Sequence, residues 1–345
     1  MRVILSGYQA GVNLGGWISQ FRKASKEHFN TFITEKDIEQ IASWGMDHIR
    51  LPIDYTIIES EDRPFEYKEE GFAYIDQCIG WCERYNLNIV LDLHRTPGYA
   101  FHSLSENKLF EDELLQKRFL SIWKVFTKRY QAYGNNVVFE LLNEIVEPNS
   151  DRWNLLSRRA VEVIRELDRN RVIIIGGNHY SSVRTLKELD RIEDDNIVYT
   201  FHYYEPHIFT HQKASWELPM RELDFVVSYP SGREEYQKYL NKSQYFRENL
   251  ECEEKMGKDY IIKYLQPALD FMRERNVALY CGEYGVIEHA PTESKLRWHE
   301  DVSDLLKEYG IGRAVWSYKL MSFPMVDRNS EVINQELIKI VSKKL

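Results

Sequence analysis

Cysteine is scarce and badly placed for a framework, with four in 345 residues. Cys78 and Cys82 are four apart on a helical stretch, Cys252 and Cys281 stand alone, and no CxxC or zinc-knuckle spacing occurs. All four read as reduced, mostly buried thiols rather than as disulfide partners or zinc ligands. No apolar run approaches bilayer-spanning length. Residues 1–7 hold too short an apolar stretch for a signal-peptide core, so the chain reads as cytoplasmic or exported by an unrecorded route. Basic residues are outnumbered, 45 Lys and Arg against 54 Asp and Glu. The resulting net charge of -9 argues against nucleic acid or an anionic membrane as partner. Internal repeats, low-complexity segments and Pro/Gly-rich linkers are missing as well, so nothing divides the chain.

What the chain holds in quantity is core and aromatic residues. The hydrophobic fraction is 43%, with 22 Tyr, 16 Phe and 8 Trp, enough for a large core and for a surface on which flat ligands stack. Short apolar runs at 12–14, 48–52, 88–93, 137–143, 171–175, 197–201, 278–281 and 313–317 alternate with amphipathic helical segments. Their near-continuous apolar character suits parallel strands buried on both faces. Helix ends are legible too. Thr34 and Asp37 form a capping box with Gly45 as the stop, and Ser150 caps a stripe of Leu155, Leu156, Val161, Ile164 and Leu167. Eight strands alternating with helices predict an α/β fold, a (β/α)8 TIM barrel forming one catalytic unit over 1–345. Residues 203–277 separate the sixth and seventh strands, far more than such a connection needs. They are predicted to be an inserted subdomain over the C-terminal face.

Active sites of such barrels assemble from the C-terminal ends of the strands. The second strand delivers Arg50-Leu51-Pro52 there, the third Asp92-Leu93-His94, the fourth Asn143-Glu144 and the sixth His202-Tyr203-Tyr204. The seventh stops on Glu283 and the eighth on Val315-Trp316-Ser317. A buried strand that stops on a carboxylate is costly unless the charge has a partner or a task. Two of them, on strands at different sides of one barrel, can flank a sugar. One carboxyl then protonates the leaving oxygen while the other faces the anomeric carbon. Glu140, placed by alternation on the face opposite Asn143, is expected to have a paired structural role. His202, His207 and His211 invite a metal reading that no HxH or HExxH pattern supports. No metal and no cofactor are expected.

The ordered set Arg50, His94, Asn143-Glu144, His202-x-Tyr204, Glu283 and Trp316 resembles glycoside hydrolase family 5, the cellulase family of retaining barrel enzymes. The match begins at Gly11-Val12-Asn13-Leu14-Gly15-Gly16-Trp17 and covers nearly the whole chain. It implies Glu144 as general acid/base and Glu283 as nucleophile, supported by Arg50, His94, Asn143, His202 and Tyr204. Elementary chemistry agrees with these roles. Asn143 can hydrogen-bond a sugar 2-hydroxyl. Arg50 and Tyr204 can hold Glu283 ionised. His202 can sit beside a Glu144 that must stay protonated at working pH.

Substrate contacts are expected from Trp316, His94, Asn143 and Trp17. For the loop aromatics Trp17, Phe21, Trp153, Phe209 and Trp216, sugar contact and ordinary packing both stay open. One departure is Arg95, where family members often carry a second histidine; it bears on contacts to the glycone side. The implied activity is that of a retaining endo-β-1,4-glucanase on cellulose-type and mixed-linkage β-1,3-1,4-glucan. A β-mannanase or glucomannanase, or an exo-acting β-glucosidase on soluble oligosaccharides, is the alternative. The expected partner is a β-glucan polysaccharide or oligosaccharide, with no obligatory protein partner.

Overall fold

The computed structural model describes residues 4–218, 220–222, 226–240 and 255–344; Cys252 and part of the predicted insert lie outside them. Eight strands close a barrel in chain order. They are β1 (Ala10–Asn13), β2 (His48–Asp54), β3 (Asn88–Arg95), β4 (Val137–Glu140), β5 (Ile173–Gly176), β6 (Ile197–Tyr203), β7 (Ala278–Tyr284) and β8 (Gly312–Val315). Every neighbouring pair is parallel, and β8 returns to β1. No helix among the described residues is long and apolar enough to cross a membrane.

Side chains alternate along a strand, so residues two apart stack as layers inside the barrel. The lower layer is mostly apolar: Val90, Val138, Ile174, Val198, Tyr280 and Ala314 share one buried cluster, with His48 of β2 bonded to the Tyr280 hydroxyl at 2.7 Å. One step up, the same strands supply Asp92, Glu140, Thr200 and Gly282, with Arg50 and Asn13 beside them. The barrel is plugged below and polar above. That change of layer prepares the site.

The capping box at Thr34 is present, and the helix it opens is Glu35–Ser43. Ser150 is the N-cap residue of the helix Asp151–Arg165, but its hydroxyl makes no cap hydrogen bond and donates to Glu188 instead. After β5 the usual helix shrinks to short turns, Asn178–Ser181 and Val183–Glu188. The stretch expected as an insert, 203–277, is described in part. Tyr203 belongs to β6, and the helix Lys258–Arg275 packs beside Thr292–Tyr309 in the ring around the barrel. Between them, the described residues include a short helix, His207–Thr210, and a two-residue antiparallel pair, Ser231–Gly232 with Lys255–Met256. Cys78, Cys82 and Cys281 are free and buried.

Candidate active site

Arg50 stands at the centre of the polar layer, fully buried. Its Nε and Nη2 donate to the two carboxylate oxygens of Glu140 at 2.7 and 2.9 Å. Nη1 reaches Glu283 Oε1 at 2.8 Å and Asn13 Oδ1 at 3.0 Å. Nη2 also reaches Asn143 Oδ1 at 2.9 Å and Asp92 Oδ2 at 3.0 Å. A planar fork with five fixed donors suits this convergence, and an ammonium does not. Gly282 leaves room for Thr200 and His202 beside it: a Cβ there would lie 3.0 Å from Thr200 Oγ1 and 3.2 Å from His202 Nε2, and in ordinary contact, 3.5 Å, with Arg50 Nε.

The two glutamates occupy different settings. Glu283 lies within β7, with Oε1 on Arg50 and Oε2 accepting the Tyr204 hydroxyl at 2.9 Å. A register shift between Phe201 and His202 brings His202 opposite Glu283 in the ladder, a place where bulges re-aim side chains. Glu144 is not on a strand. The β4 ladder stops at Glu140, and Glu144 follows in a loop with φ 44°. His202 Nδ1 meets Glu144 Oε1 at 2.9 Å and stands 3.7 Å from Glu283 Oε2. Burial pushes the Glu144 carboxyl up to about 7, whereas burial drives His202 down to about 4. The acid is therefore the member of that pair that carries a proton near neutrality.

His94 continues the floor towards Trp316. Its Nδ1 meets Asp92 Oδ2 at 2.7 Å, and its ring stacks on Trp316 with centroids 5.8 Å apart and planes 8° off parallel. Burial lowers His94 to about 4, so it is neutral, and its Nε2 has no hydrogen-bond partner among the described residues. Asn143 is also oriented. With Oδ1 taken by Arg50, its buried Nδ2 is the donor left over, beside the Glu144 carboxyl and without a well-formed hydrogen bond among the described residues. Alternation had set Asn143 opposite Glu140. The strand ends first, and both side chains turn to the same guanidinium.

Arg50, His94, Asn143, Glu144, His202, Tyr204, Glu283 and Trp316 thus meet at one mouth. Trp17 does not join them. It is fully buried, its indole donates to Phe29 O at 2.8 Å, and it stacks on Trp81. It faces the helices because the preceding Gly16 has φ 81° and turns the chain away from the cleft. Trp153 and Phe209 are likewise core, Phe21 is half-buried, and Trp216 is exposed. Trp216 packs edge-on to His211, which packs edge-on to Tyr204.

Two groups at this mouth make contacts to which the sequence assigns no role. Asp92 lies two residues before His94, on the same face of β3, and links it to Arg50; an acid inside an apolar strand is the signal that marks it. Tyr99 donates to the Glu144 carbonyl at 2.8 Å, and no local pattern announces that contact. Backbone strain also collects here: Gln20, Glu144, residues 179–181 and residues 320–322 all have positive φ, each after a strand's C-terminal end.

One ligand atom from each of Glu144, His202 and Glu283 lies within 4.8 Å of the others, the group among the described residues that a metal ion could use. Each of these residues is already engaged, Glu283 by Arg50 and Tyr204 and Glu144 by His202. A cation placed there would face the Arg50 guanidinium, so the donor set fits a metal poorly.

A parallel barrel that brings two carboxyl groups with opposed settings together over an arginine floor is a glycoside hydrolase scaffold. The profile described as cellulase (glycosyl hydrolase family 5) matches residues 8–322, and the chain belongs to that family. It is 48% identical over 338 residues to endoglucanase C of Acetivibrio thermocellus, covering 98% of each chain. It is 33% identical to cellodextrinase A of Ruminococcus flavefaciens, over 98% of this chain and 94% of the other. The structure of Thermotoga maritima Cel5A in complex with cellobiose matches with a TM-score of 0.78 at 22% identity, covering 97% of each, a likeness of fold.

Proposed function

We propose that the protein is a retaining endo-β-1,4-glucanase that cleaves β-glucans, mixed-linkage β-1,3-1,4-glucan included, by double displacement. The observation that carries this is the pair Glu144 and Glu283, with one carboxylate oxygen of each within 4.8 Å of the other and unlike surroundings. Retaining enzymes hold their carboxyl groups ~5–5.5 Å apart, and inverting ones leave ~6.5–9.5 Å for a water. Glu283, with one oxygen on Arg50 and the other on Tyr204, is aimed to attack the anomeric carbon. Glu144 protonates the leaving oxygen and then takes a proton from water as the glycosyl-enzyme is hydrolysed. Asn143 Nδ2 meets the 2-hydroxyl, Trp316 carries a pyranose face, and the described part of 204–257 forms one wall of the cleft. The 48% identity to a named endoglucanase supports the β-glucan substrate. A second reading, soluble cello-oligosaccharides as the main substrate, draws on the 33% identity to a cellodextrinase.

Glu144→Ala carries the test. This variant should lose activity on barley β-glucan yet still turn over 2,4-dinitrophenyl β-cellobioside, whose leaving group needs no proton. Azide should then yield the glycosyl azide of retained configuration. Wild-type rates on the polysaccharide would end this assignment. Product lengths from carboxymethylcellulose, barley β-glucan, laminarin, glucomannan and cello-oligosaccharides separate endo from exo action and glucan from mannan.

The acid's position predicts the pH profile. Burial raises Glu144 to about 7, so its protonated form persists up to that pH and is lost above it. For natural glucan, kcat/KM should fall tenfold per pH unit beyond about 7. For 2,4-dinitrophenyl β-cellobioside, whose leaving group needs no proton, that limb should be absent.

Trp316 is seated against glycine. A Cβ on Gly15 would lie 2.8 Å from its Cη2 and 2.9 Å from its Cζ2. Gly15→Ala should therefore tilt the indole and raise KM for cellotetraose roughly tenfold, about 1.4 kcal/mol of binding. Unchanged initial-rate kinetics would show that the ring has room to give.

A further inference from the structure

We propose that Tyr99 and Asn178 form a two-sided clamp that positions Glu144, so that both act in catalysis without touching substrate. The inference rests on the acid/base reading of Glu144. Beyond Asn143, whose N–H still donates to Leu93 O, the chain leaves the barrel ladder and enters a segment with no strand to hold it. Glu144 itself has φ 44°, a conformation that persists only when its surroundings enforce it.

Those surroundings come from the loops on either side. From the β3 loop, the single Tyr99 hydroxyl donates to Glu144 O at 2.8 Å and accepts from Val146 N–H at 2.6 Å. It thereby brackets the peptides on both sides of Ile145. Tyr99 is itself buried and pinned by a two-way backbone pairing with Thr96, at 3.2 and 2.9 Å.

From the β5 loop, Asn178 Oδ1 accepts from Glu147 N–H, and its Nδ2 donates to Glu147 O, both at 2.9 Å. Tyr180 N–H donates to Ile145 O at 3.1 Å. Five backbone groups within 144–147 are thus held from two directions. The three residues that follow Asn178 have φ of 48°, 58° and 56°, so the β5 loop is bent to make this reach. Filling buried backbone valences alone needs no such double strain.

Tyr99→Phe keeps the ring and removes the hydroxyl. Misplacing an acid by about 1 Å costs on the order of 10²-fold where its proton is needed. We expect kcat/KM for cellotetraose to fall by about that factor, while 2,4-dinitrophenyl β-cellobioside loses less than about threefold. Equal losses on both substrates, or none on either, would overturn the clamp. Glu144→Ala run beside it separates the two readings. If that variant shows no leaving-group split, the acid assignment fails and the clamp falls with it. If it shows the split and Tyr99→Phe does not, the clamp alone is wrong. Should Tyr99→Phe not fold, Asn178→Ala, on the opposite side of the segment, must give the same split for the proposal to stand.

Discussion

Glu283→Ala is expected to lose about 10⁴-fold in kcat on barley β-glucan, close to 5.5 kcal/mol of barrier. Sodium azide should restore part of the rate on an activated aryl cellobioside. Stereochemistry dictates what the azide makes. In the mechanism we propose, Glu283 faces the anomeric carbon, with Oε1 held by Arg50 at 2.8 Å and Oε2 by Tyr204 at 2.9 Å. Removing the carboxylate leaves a gap on that face wide enough for a small anion. Azide entering there attacks once, so the product is the inverted glycosyl azide. That outcome contrasts with the retained anomer expected from Glu144→Ala, and the pair assigns the two carboxyl groups. If Glu283→Ala gave the retained azide product, or kept its rate, the assignment would be reversed or removed.

Arg50→Met should damage stability and activity together. Three carboxylates, Glu140, Asp92 and Glu283, lean on this one fully buried cation. Breaking a buried pair by removing one partner costs about 3–5 kcal/mol, because a desolvated charge is left uncompensated. At ~2.1 cal/mol/K of unfolding entropy per residue over 345 residues, that amounts to about 4–7 °C in Tm. The remaining activity should be below about one part in 10³, since Glu283 loses its aim and Asn143 its orientation. Arg50→Lys preserves charge without the fork and should fall between. Calorimetry and rates on β-glucan read both effects. Wild-type melting of Arg50→Met would mean the acids simply neutralise, as burial already urges on Asp92, pushed up to about 7.

The sequence carried the barrel because parallel strands buried on both faces write long apolar runs, and all eight were legible. It also carried the polar residues at the mouth, since each breaks such a run. Trp17 was misplaced for a local reason: the Gly15–Gly16 turn reverses the chain, and nothing in residue type tells which way an indole then faces. Glu144 read as a strand end because Leu141 and Leu142 extend the apolar run past the last ladder residue. Tyr99 lies 45 residues from Glu144, and their contact follows from barrel closure rather than from any periodicity.

The gathering of left-handed residues at the mouth bears on how this enzyme can be made hardier. Gln20, Glu144, 179–181 and 320–322 each hold a backbone shape that a side chain disfavours by about 1–2 kcal/mol. Glycine at Gln20, 179–181 or 320–322, though not at Glu144 itself, is the obvious route to relief, and selection for heat tolerance should find those places early. Yet the same loops aim Glu144 and seat Trp316. Gains made there should come with slower turnover, whereas substitutions on the outer helices should raise Tm with little effect on rate.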